Sequence, residues 1–103
     1  MTTKSTKFSL GQVTMTRNIA HFTWESQQRH QWINTCLLRH QNGDWGDLSD
    51  EDVASNEEAL KSSERLFSVY RIPDELEYPH HQKVWIITER DRSVTTVLFP
   101  SDY

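Results

Sequence analysis

The chain has 103 residues, 35% hydrophobic and 25% charged, with 11 Lys and Arg against 15 Asp and Glu for a net charge of −4. That length holds one domain, able to bury roughly two-thirds of the surface its unfolded chain exposes. The mildly acidic balance argues against a general nucleic-acid or anionic-membrane binder, which needs a basic surface, and no run approaches the roughly 20 apolar residues of a membrane span.

Aromatic residues carry much of the apolar content: four Trp, four Phe and three Tyr, each able to bury ~150–250 Å². A single cysteine, Cys36, excludes an intrachain disulfide and fits a reducing, cytoplasmic setting. The opening MTTKSTKFSL lacks the apolar stretch of a secretory signal. The expected organisation is a flexible N-terminus over residues 1–7 and one domain over 8–103.

In chain order, KFSLGQVTMT (7–16) alternates in the manner of a short strand or extended arm, weakened by Gly11. Residues 23–43 predict a helix: Trp32, Ile33, Cys36, Leu37 and His40 recur on one face at a 3.6-residue period, Thr23 or Ser26 is placed to cap its start, and Asn42-Gly43 to stop it. A second helix follows, with Ser49 as N-cap and Asp50, Glu51 and Asp52 in the first turn, ending near Lys61–Ser63. The last third changes period. Segments 64–72, 83–89 and 93–99 are rich in β-branched and aromatic residues, and the short RDR connection between the last two reads as a hairpin. The sum is an α+β fold: two N-terminal helices packed on a C-terminal antiparallel three-stranded meander, with room for an added N-terminal strand.

The stretch HQNGDWGDLSDED (40–52) sets Trp45 between two glycines and two aspartates. Gly43 and Gly46 permit sharp bends and Asp44 and Asp47 are turn-formers, so the indole is expected to plug the space beneath the helices. An exposed Trp45 would instead anchor a partner. The carboxylates Asp44, Asp47, Asp50, Glu51 and Asp52 lack the spacing of a calcium loop, and helix capping accounts for the last three. No metal or other cofactor is expected. The five histidines are scattered, with His80-His81 in a Pro-flanked loop, and Cys36 reads as a buried small hydrophobe.

Glu89, Arg90, Asp91 and Arg92 crowd the hairpin tip. The plain reading is a solvated turn with ion pairs worth ~0–1 kcal/mol each; the alternative is a small hydrolase or nuclease using Glu89, Asp91 and Arg92, which requires them to converge with a histidine. Charge is uneven along the chain: residues 1–43 carry five basic and one acidic residue, residues 44–77 three basic and eleven acidic. Such polarity steers charged partners.

The words RHQNGDWGDL, N-x-x-A-L-K, S-V-Y-R, K-x-W-I-I-T-E-x-D-R-S-x-T and a terminal D-Y run in order over about residues 38–103. In these the chain resembles a family of short bacterial proteins met on plasmids and integrated mobile elements, some named after restriction–modification neighbours. The N-terminal third matches more loosely, and the 73–82 segment is longer than the family's. The resemblance implies a mobile-element or host-interaction context and supplies no active-site residues. The expected function is therefore a small non-enzymatic interaction or regulatory protein acting on a host defence or plasmid function. Its contact residues would be Trp45 if exposed, the acidic Glu51, Glu57 and Glu58, and Arg90 and Arg92. The partner is a protein, with nucleic acid disfavoured and no membrane involved. A meander leaves edges to cover, and a homodimer is one way to cover them.

Overall fold

The structure is a computed structural model, and it describes residues 6–103. The order of elements is β1 (Gln12–Met15), α1 (Arg17–Trp24), α2 (Gln27–Gln41), α3 (Asp50–Ser62), β2 (Leu66–Arg71), β3 (Lys83–Thr88) and β4 (Val94–Leu98), with 3-10 turns at Asp74–Leu76 and Pro100–Asp102. The strands form one sheet in the order β1-β4-β3-β2. β2, β3 and β4 are the expected antiparallel meander, whereas β1 joins β4 in parallel, with Gln12 beside Val94. Among the described residues the sheet is thus four-stranded and mixed, and three helices accompany it where two were expected.

The extra helix, α1, lies mostly ahead of the segment read as a helix over 23–43, and of that segment's two candidate caps it is Ser26, not Thr23, that starts α2. Thr16 caps α1 by accepting the Ile19 amide, Glu25 ends it, and Ser26 caps α2 by accepting the Arg29 amide. Side chains that satisfy orphan helix donors mark these starts. Ser49 caps α3 as its sequence predicts, accepting the Asp52 amide at 3.2 Å. Gly43 adopts φ +81° after α2, and Ser63 turns left-handed after α3.

α1 and α2 cover one face of the sheet. Ile19, Phe22, Ile33 and Cys36 from the helices meet Tyr70, Val84, Ile86, Val97 and Phe99 from the strands and their ends. A second cluster joins Trp45, Ala59 and Leu66, with Phe8, Leu48, Val53 and Leu60 packed against it. It fastens α3 to the start of β2. The expected flexible residues 1–7 fall mostly outside the described residues; within them, the Lys7 amide donates to the Gln41 carbonyl at 3.0 Å. Among the described residues no helix is long and apolar enough to cross a membrane.

Candidate functional site

The GDWGD stretch lies along the free edge of β2. Trp45 donates nothing from its backbone to that edge but accepts the Val69 amide, and the Asp47 amide returns a bond to the Val69 carbonyl at 2.7 Å. The Asp47 carboxylate accepts the Arg71 amide at 2.9 Å. Two residues before Val69, the Asn56 carboxamide of α3 takes both backbone groups of Phe67. Phe67, Val69 and Arg71 are the alternate residues whose backbone points away from β3, so the edge is sealed along its length. Gly46, at φ +76°, is required here because a Cβ would overlap the Val69 carbonyl oxygen and the Tyr70 ring.

Trp45 is 3% exposed. Its Nε1 donates to the Glu57 carboxylate at 2.8 Å, its ring stacks on Phe8 and meets His40 edge-on. The plug reading holds, and the indole is not available as a contact surface. Glu57, although solvent-facing, is committed to that indole. Arg92 turns inward: its guanidinium donates to the Ala59, Glu64 and Glu89 carbonyls and lies over the Phe8 ring. It ties the β3–β4 hairpin to the C-terminal end of α3, where a cation complements the helix dipole.

Beneath this knot runs a buried polar chain. His40 is fully buried in the last turn of α2, with Nδ1 2.5 Å from Ser68 Oγ and Nε2 2.9 Å from Thr88 Oγ1. Thr88 and Thr95 hydroxyls lie 2.7 Å apart, and Thr95 Oγ1 donates to the Leu10 carbonyl. Because that carbonyl only accepts, the donors order themselves as far as the ring: Thr88 donates to Thr95 and His40 Nε2–H to Thr88, while Nδ1 shares its hydrogen bond with the Ser68 hydroxyl, which can donate or accept. Burial, and then the Arg92 charge, push the His40 pKa down to about 3. Burial likewise pushes the Cys36 thiol up to about 12, which leaves it protonated and unreactive.

The remaining hairpin residues separate. Glu89 meets Arg65 at 3.5 Å on the surface, Asp91 accepts the Ser93 amide and hydroxyl in the turn, and Arg90 is exposed. Glu89, Asp91 and Arg92 thus take separate partners: Arg65, the Ser93 turn, and backbone carbonyls that include those of Ala59 and Glu64. His80 and His81 instead line a cleft of about 390 Å³ with Arg71, Asp74, Glu77 and Tyr78. There His81 and Tyr78 stack against Phe99, and Arg29, held between the Phe22 and Tyr78 rings, donates to the Glu77 carbonyl. Among the described residues no three His, Cys, Asp or Glu side chains are placed to hold a metal ion.

The sheet face turned away from α1 and α2 carries the feature that sequence reasoning missed. Phe67, Trp85, Ile87 and Tyr103, with Arg65, line a groove of about 300 Å³. Trp85 meets Phe67 and Tyr103 edge-on, and the Arg65 guanidinium donates to the Tyr103 hydroxyl at 3.0 Å. The alternation of Phe67, Trp85 and Ile87 with core residues was the signal for a second apolar face. Neither family models nor curated proteins nor solved structures match this chain, so its reading rests on geometry.

Proposed function

We infer that this chain works by protein–protein contact without catalysis of its own, and that its partner docks on the sheet face bearing Phe67, Trp85 and Tyr103. The observation that carries this reading is the open aromatic groove on that face. Trp, Tyr and Arg are the side chains that most often dominate binding energy, and a contiguous apolar patch rimmed by polar groups is the usual mark of an interaction surface. Glu51 and Glu58 on α3 and Arg90 at the hairpin tip are exposed as well and offer charged contacts outside the groove. The resemblance to short plasmid and mobile-element proteins supports a partner in host defence or plasmid function.

The test is affinity capture from bacterial cells with the full chain as bait, beside Tyr103→Ala, Trp85→Ala and a Glu51→Gln/Glu58→Gln pair. Tyr103 is mostly exposed, so its truncation leaves folding intact. A partner retained by the wild type and lost with Tyr103→Ala and Trp85→Ala is the expected result. Capture that survives both overturns the assignment of this face.

A further inference from the structure

The two edges of the sheet are finished differently. The β2 edge is sealed by Asn56, Trp45 and Asp47, as described above. At the β1 edge, Gln12 donates to the Ser93 carbonyl at 2.8 Å and Thr16 to the Val97 carbonyl at 3.1 Å. With Thr14 in register with Thr96, this turns the backbone of Gln12, Thr14 and Thr16 toward β4. The N–H and C=O of Val13 and Met15 therefore point outward. Among the described residues nothing pairs with them. Their side chains, on the helix-bearing face, are 40% and 39% exposed. The strand, QVTM, is short but has no proline and no charge, two of the devices by which natural edges discourage pairing.

We propose that β1 pairs antiparallel with β1 of a second copy of this chain, about a two-fold axis at Thr14, joining the two four-stranded sheets. That axis sets Val13 opposite Met15 of the second copy and Met15 opposite its Val13. Each such pair exchanges N–H···O=C bonds in both directions, so every outward polar group of the strand is used. The half-exposed Val13 and Met15 side chains become cross-strand neighbours, and Thr14 meets its own copy on the other face. In this register Arg17 falls opposite Gly11, and no charge faces its like. The outward groups thus match a second copy of themselves, the property a two-fold interface demands. An edge this short gives a weak, concentration-dependent dimer. It lies apart from the aromatic groove, so its failure leaves the proposed function standing.

Sedimentation velocity of the full chain over a wide concentration range tests the pairing, beside Val13→Lys and Met15→Pro. The Met15 N–H points away from β4, so a proline there spares the ladder within the chain. The expected result is a wild-type mass rising toward two copies, with both variants monomeric and their circular dichroism unchanged. If Met15→Pro unfolds, Val13→Lys decides. A wild type that stays monomeric at the highest concentration, or self-association that persists in Val13→Lys, overturns the proposal. So does concentration-independent protection of the Val13 and Met15 amides, which would mean that the edge is paired within one chain.

Discussion

Asn56 and Phe67 are joined as if Asn56 were a further strand residue: its Nδ2 donates to the Phe67 carbonyl at 2.6 Å and its Oδ1 accepts the Phe67 amide at 3.2 Å. A single side chain on α3 thereby does for β2 what a neighbouring strand would do, and it fixes the helix against the sheet. Trp45 and Asp47 continue the seal toward Arg71.

Replacing Asn56 with Ala leaves both Phe67 groups without partners in a half-buried position, at a cost of roughly 1–3 kcal/mol. Asn56→Asp loses the donor and places a carboxylate against the Phe67 carbonyl, so it is at least as damaging. Urea denaturation gives both values, and the Phe67 amide exchanges faster in each variant.

Trp45→Ala removes the wedge between α3, β2 and Phe8, and is expected to cost about 3–5 kcal/mol. Trp45→Phe keeps a ring and loses the bond to Glu57, so it costs less. Glu57→Gln retains an acceptor and is near neutral. A double-mutant cycle between Trp45→Phe and Glu57→Ala should return a coupling of about 0.5–1.5 kcal/mol. This would place Glu57 in the fold and not among the contact residues.

Much of this frame is readable in the residues. Ser49, the Asp-rich first turn and Asn42-Gly43 announce α3's start and α2's end because capping is local chemistry. The hairpin at Asp91–Arg92 is local too. Ser26 starts α2 as one of its two expected caps, whereas α1 was hidden, because an eight-residue helix with Ile19 and Phe22 as its buried apolar residues leaves a short periodic signal. The parallel pairing of β1 with β4 joins Gln12 to Val94 across most of the chain, and nothing local encodes it. Arg92 looked like a surface charge, since its acceptors are carbonyls contributed by distant backbone. His40 lies on the apolar face where its spacing put it, but its partners, like those of Asn56, were opaque: a polar residue's partners across the fold leave no period.

His40 makes stability depend on pH. Its folded pKa, about 3, lies below the ordinary 6.5, so between these values the unfolded chain binds the extra proton. Stability is fully present above pH 6.5 and falls as pH drops toward 3, by up to about 1.4 kcal/mol per pH unit from this group. Imidazole resonances of His40 should stay fixed through the range where a free histidine titrates, and urea midpoints should track the slope. A His40 ring titrating near 6.5 in the folded protein would contradict the buried chain.

Cys36 is buried, and its thiol is held up at about 12. Alkylation of the native protein at neutral pH should therefore be slow and should accelerate with denaturant in step with unfolding. Rapid labelling without denaturant would place the thiol at the surface.

Gly46→Ala tests the backbone of the seal. Its left-handed conformation alone costs an alanine about 1–2 kcal/mol, and the Cβ overlap with Val69 forces the segment off the edge. The expected variant is destabilised by more than that strain and prone to aggregate through β2.

Residue-resolved amide exchange in dilute, native solution bears most directly on the asymmetry of the sheet. The account predicts strong protection at Phe67, Val69 and Arg71, held by Asn56, Trp45 and Asp47, beside fast exchange at Val13 and Met15. Fast exchange at the first three amides, or equal protection of both edges at every dilution, would contradict it.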